Sequence, residues 1–346
     1  MSNQQDHHKR LLVMTEGLLG PFSAKTAASV IRYRRPDVVA VLDSTAVGQS
    51  LGDHFGFAED LPIVGSVADA ARLEPDGLLV GIAPVGGQLP EPMRRHALDA
   101  IEAGLDIISG LHVMLADDEE LSAAAKTRGV RIWDVRDPGA FDQIAFARAR
   151  QTRARRVLTV GSDCAVGKMV CALEMRQAAL DAGRDATFVA TGQTGIMIEG
   201  WGMSVDRVIA DFAAGAAEWL IEQVKDRELV FIEGQGSITH PGYSGVTLAL
   251  LHGTCPDAMV MCIRPGRTHH HEMPDCPIPP LPEQIALYES ITQSLHPAKV
   301  AAVSVNTFGL SDEKAQAELD RVRKQTGLPA TDPIRYGATV LLDAVV

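Results

Sequence analysis

Apolar residues along the first 140 positions come in short runs separated by stretches with helical spacing. The runs "RLLVM", "DVVAVLD", "LPIVG", "GLLVGIA", "DIISG" and "VRIWDV" predict strands, and "AKTAASVIRYR", "EPMRRHALDAIEAG" and "DEELSAAAKTRG" between them predict helices. From residue 155 the alternation resumes with strands at "RVLTV", "DATFVAT", "ELVFIEG", "AMVMCIR" and "KVAAVSV". Helices are predicted after the first of these, over "VIADFAAGAAEWLIEQVKD", and over "LPEQIALYESITQSL", where Pro282 and Glu283 suit a helix start. Strands alternating with helices mean parallel sheets covered on both faces. The pattern therefore predicts an α/β protein of two doubly wound domains, 1–150 and 151–346. The boundary stretch "ARARQTRARR" at 147–156 carries five arginines and no acid, and reads as a solvated linker.

Bulk properties narrow the function. The formal charge of −12 over 346 residues argues against non-specific binding to nucleic acid or an anionic membrane, since both need a cationic field. An anionic ligand must then be captured by a local site. The amino-terminal stretch lacks a convincing secretory pattern, and no window approaches 18 consecutive apolar residues. The five cysteines have neither metal nor disulfide spacing, which suits reduced thiols in the cytoplasm.

The strongest chemical signal is "GSDCAVGKM" at 161–169, between a predicted strand and a predicted helix. Gly161, Ser162, Asp163, Cys164, Ala165, Val166, Gly167 and Lys168 follow G-x-x-x-x-x-G-K. Such a loop turns successive backbone N–H groups inward, at a helix amino end, beside a lysine. The loop resembles that of dethiobiotin synthetase, G-T-D-x-x-x-G-K-T, with one departure. Met169 stands where a hydroxyl would hold magnesium, and a thioether does not ligate that hard ion. The second domain is therefore expected to be P-loop NTPase-like and to bind a pyrophosphate without splitting ATP.

Other polar loops follow predicted strands. "EGQGSITHPGYSG" puts Glu233 at a strand end and His240 seven residues on, either able to take a proton from an amine. "CIRPGRTHHHEM" offers Arg264 and Arg267, whose forks suit a carboxylate or a phosphate. Of His269, His270 and His271, at most two can converge on a metal, because an extended segment alternates its faces. Gln193 and Asn306 lie in loops that can donate to ligand oxygens. Cys164 is a candidate nucleophile at a helix amino end. In the first domain Asp43 ends a strand where a carboxylate can meet a ribose, yet no G-x-G-x-x-G precedes it, so a turn-capping role stands beside that one. The glycine-rich turn "GIAPVGGQLP" at 81–90 can either approach a ligand or be a plain loop.

Taken together, "GSDCAVGKM", "ATGQTGIMI", "DRVIADFAAGAAEWL", "FIEGQGSITHPGYSG", "CIRPGRTHHH" and "SVNT" resemble a family long catalogued as a P-loop domain of unknown function, some members of which are D-glutamate N-acetyltransferases. "GIAPVGGQLP", "GLDIISGLH" and "VRIWDVRDP" resemble that family's Rossmann-like N-terminal domain. The resemblance implies acetyl transfer from acetyl-CoA to the amine of D-glutamate, in D-amino-acid breakdown, with no metal required. Loop 161–168 would hold CoA phosphates, Arg264 or Arg267 a substrate carboxylate with Gln193 and Asn306 near it, and Glu233 or His240 the amine proton. Partners would be small molecules and further copies of the chain in a homo-oligomer. The rival is a ligase or kinase of the dethiobiotin synthetase class, using Mg-ATP through Asp163 and Glu233. A nucleotide-sensing module without turnover is a third.

Overall fold

The computed structural model describes residues 8–20, 23–82, 87 and 89–346. The chain forms two compact units, one of Met1–Pro138 with Ile196–Ser204, the other of Gly139–Gly195 with Val205–Val346.

In the first unit every predicted run is a strand: β1 Leu11–Met14, β2 Val38–Leu42, β3 Ile63–Val64, β4 Gly77–Val80, β5 Asp106–Ser109 and β6 Ile132–Asp134. All neighbours pair in parallel, in the order β3-β2-β1-β4-β5-β6, which is the Rossmann order. The runs are apolar throughout because helices cover both faces, and β1 is buried along its whole length. The helix Glu119–Arg128 starts where Asp118 accepts from Glu120 N and Leu121 N, and stops at Gly129 in the left-handed region. Asp43 is buried and accepts from Thr15 Oγ1, Gly17 N, Thr45 N and Thr45 Oγ1 at 2.7–3.1 Å. Three of these donors fall on Oδ1 and one on Oδ2, so the carboxylate caps the turn, as the turn-capping reading has it. Of the glycine-rich turn 81–90, residues 83–86 and 88 lie outside the described residues.

The second unit contains β7 Arg155–Gly161, β8 Ala186–Val189, β9 Leu229–Ile232, β10 Ala258–Ile263, β11 Lys299–Val305 and β12 Ala330–Thr331. They too are parallel, ordered β12-β11-β10-β7-β9-β8. Two-residue β12 escapes the hydrophobic pattern, as does the helix Ser244–Thr254, which begins at the end of a glycine-rich loop and is apolar on most sides. No helix among the described residues is long and apolar enough to cross a membrane.

The arginine stretch differs from the solvated linker expected. Arg156 is 2% exposed and donates to Cys255 O, Ala149 O, Thr152 Oγ1 and Asp257 Oδ1 at 2.7–2.8 Å. Arg148 pairs with Glu218, which is fully buried. Arginine can be buried here because its planar fork finds a partner for each group.

One contact sets how closely β9 approaches β7 beyond the sheet. A Cβ on Gly234 would lie 1.6 Å from Thr159 O, and Gly234 N donates to Thr159 Oγ1 at 3.0 Å. Gly234→Ala is expected to cost about 3 kcal/mol or more through forced backbone displacement. Gly245→Ala, on an exposed helix position with nothing near the new Cβ, is expected to gain about 0.5–1 kcal/mol. Urea unfolding of both variants checks the pair.

Candidate active site

Parallel strands put all their carboxyl ends on one edge, and β7 lies between β10 and β9. The loop after β7 is therefore flanked by the Glu233 stretch on one side and the Arg264–His271 stretch on the other. Ser162 N donates to Cys262 O at 3.0 Å, so the ladder runs one residue past β7 before the loop curls. Gly167, at φ +102°, turns the chain into the helix Lys168–Asp181, a conformation that a side chain would strain. Lys168 is buried, and its Nζ donates to Asp163 O at 2.7 Å. Burial lowers its ammonium from the ordinary value, against the pull of Cys164, Cys262, Asp163 and Glu233.

Asp163 gathers the site. Its carboxylate is fully buried; Oδ2 accepts from Arg267 Nη1 at 2.8 Å and His271 N at 2.9 Å, and Oδ1 accepts from His270 Nδ1 at 3.0 Å. Burial pushes this carboxyl up, but the bonds from His270, the Cys164 and His271 backbones and Arg267 together outweigh it and hold it below its ordinary value. His270 is buried while His269 and His271 are exposed, as alternation along an extended segment requires.

Glu233 is buried at the end of β9. Its Oε2 accepts from Thr191 N at 2.9 Å and Gly192 N at 3.0 Å. Burial, opposed by those two bonds, pushes its carboxyl up to about 7. His240 is 1% exposed, and its Nδ1 accepts from Gly242 N at 3.1 Å. A backbone N–H can only donate, so the neutral ring carries its proton on Nε2, 3.9 Å from Asp163 Oδ1. Burial, with the neighbouring His270, lowers its pKa, so at neutral pH His240 is an uncharged donor.

The remaining candidates lie around this centre at different distances. Arg267 bonds Asp163 and Cys164 O, and Arg264 lines an open depression with Pro265–His269. The Asn306 amide nitrogen would be 3.7 Å from a Cβ on Gly167, so it faces the loop. Gln193 opens the helix Gln193–Glu199, two residues beyond Thr191. Sequence reasoning missed Tyr288, a buried phenol that donates to Gly161 O at 2.8 Å and accepts from Ile238 N at 3.0 Å. A lone tyrosine in an apolar helix gave no signal of its partners.

Ligand atoms of Asp163, Cys164 and His240 lie within 4.8 Å of one another, close enough to consider a metal. The donor set fits a cation poorly: both Asp163 oxygens are already used, and Arg267 and Lys168 place positive charge beside them.

Comparison with known proteins bears on the whole chain. Residues 143–342 match the family model for a P-loop domain of unknown function, DUF1611_C, and residues 44–138 match DUF1611_N, described as Rossmann-like. A "D-glutamate N-acetyltransferase" of Tritonibacter scottomollicae is 39% identical over 93% of this chain and 94% of its own. One of the same name from Pseudoalteromonas sp is 37% identical over 79% and 82%. A crystal structure of a DUF1611 family protein from Anabaena variabilis superposes with a TM-score of 0.92 at 41% identity, covering 97% of this chain and 99% of that one.

Removing Arg267 would leave the Asp163 carboxylate without its nearest cation. Arg267→Ala is expected to cost about 3 kcal/mol at neutral pH. Because the folded carboxyl is held below its unfolded value, the deficit should be full above about pH 5 and shrink as pH falls below about 4. Chemical denaturation at pH 7 and pH 3 measures both.

Proposed function

The chain belongs to the DUF1611 family, and from that premise we propose that it is an N-acetyltransferase, moving acetyl from acetyl-CoA to the amine of D-glutamate in D-amino-acid breakdown. Two relatives at 37–39% identity carry that name. The observation in the site that best supports the reading is Glu233: a carboxyl with a pKa of about 7, held by two backbone N–H groups, is matched to taking a proton at neutral pH.

The amine nitrogen attacks the thioester carbonyl, the new C–N bond forms, CoA thiolate leaves, and the amine proton passes to Glu233. His240 cannot be the acceptor in its neutral tautomer, because Nε2 already holds the proton; it donates to negative charge developing on oxygen or sulfur. Loop 161–168 cradles the CoA pyrophosphate with its inward N–H groups and Lys168. Glu233 and that loop are neighbours, so the reading requires the pantetheine arm to turn back toward the sheet edge. Arg264, which lines the open depression beside Arg267, receives a substrate carboxylate. Five free thiols fit a cytoplasmic setting.

Magnesium-dependent phosphoryl transfer is less well supported. Met169 occupies the hydroxyl position, and Asp163, which would have to ligate magnesium, is taken up by Arg267, His270 and His271 N.

Purified protein given acetyl-CoA and a panel of D- and L-amino acids, without ATP or metal, should release thiol with D-glutamate; silence there, with phosphate release from Mg-ATP, would sink the reading. The rate should rise as pH passes through about 7, where Glu233 loses its proton. Glu233→Gln should lower kcat by about 100-fold or more and abolish that rise. Met169→Thr should leave acetyl transfer unchanged.

A further inference from the structure

Of the five free cysteines, Cys171, Cys255 and Cys262 are buried, which leaves the half-buried Cys164 and Cys276 within reach of solvent species. Their surroundings differ. Cys164 lies in the loop ahead of the fourteen-residue helix Lys168–Asp181, whose amino end carries partial positive charge. The Lys168 ammonium is coupled electrostatically to it. A ring nitrogen of His240 and a carboxylate oxygen of Asp163 lie within 4.8 Å of its sulfur and of each other. The His240 side chain is 1% exposed, and its Nε2 proton stands 3.9 Å from Asp163 Oδ1, too far for a hydrogen bond. That donor faces the cluster, and among the described residues no protein acceptor takes its proton. Asp163 opposes an anion nearby, yet its charge is countered by Arg267 and His270.

We propose that Cys164 is a covalent modification site: a thiolate, held by the His240 Nε2 proton, Lys168 and the helix amino end, that exchanges with low-molecular-weight disulfides. The thiol proton leaves to solvent. The thiolate attacks one disulfide sulfur, a Cys164 mixed disulfide forms, the original S–S bond breaks, and the second thiol departs as thiolate, so that no separate oxidant is needed. The sulfur-bound group then fills the loop, and modification excludes an anionic ligand. This last consequence rests on the phosphate-binding reading of the loop; the thiol chemistry does not.

The test is time-resolved mass spectrometry of the full-length native protein with glutathione disulfide at pH 7, with Cys276 as the control in the same molecule. Cys164 is expected to react roughly ten-fold or more faster than Cys276. His240→Ala should slow Cys164 several-fold and leave Cys276 unchanged. Equal or slower reaction at Cys164 in the wild type overturns the proposal, as does an unchanged Cys164 rate in a folded His240→Ala. Should that variant unfold, modification of Cys171, Cys255 and Cys262 will reveal it, and the wild-type ratio decides. Inorganic pyrophosphate tests the loop reading separately: protection of Cys164 supports it, and fast modification without protection removes that reading while the thiolate stands.

Discussion

A fully buried carboxylate is tolerable only when several donors converge on it, and in the second unit Asp163 imposes that condition on everything around it. Its donors come from Arg267, His270 and His271, more than a hundred residues along the chain, so satisfying one charge folds the loop after β10 against the loop after β7. The same loop is held from other sides by Lys168 at Asp163 O and by Tyr288 at Gly161 O. A loop built on so many internal bonds keeps its shape before any ligand arrives. That lowers the ordering cost of binding.

The protonation of the two buried groups, Glu233 and His240, follows from burial and backbone geometry. Two backbone N–H groups hold one oxygen of Glu233 while burial keeps its acid form available near neutrality. A third, from Gly242, fixes the His240 tautomer and makes that ring a donor. An acceptor and a donor are thus assigned without either side chain contacting the other. The division parallels other sites in which environment alone separates the roles of two titratable groups.

Much of the fold was legible because its signals are local. Unbroken apolar runs gave eleven strands, and glycines with a lysine between strand and helix gave the loop. What escaped was non-local or weakly patterned: the two residues of β12, the helix Ser244–Thr254, and the burial of Arg156, whose partners lie as far off as Asp257 and His296. The site was legible as a list of polar loops at strand ends, and much less so as a set of bonds. Nothing in "CIRPGRTHHH" shows which arginine bonds Asp163, since both follow the same strand. The His240 tautomer depends on a single N–H two residues on, which no side-chain pattern encodes.

Arg156 has a consequence for how the second unit can move. It fastens the first residues of β7 to Cys255, Asp257 and the 149–152 turn, while Ser162 and Tyr288 fasten the last. A strand pinned at both ends and paired on both sides behaves as a post rather than a spring. The strand then serves as the fixed reference on which the loops at its carboxyl end are hung, and exposed residues such as His269 and His271 keep more freedom than the buried His270 between them.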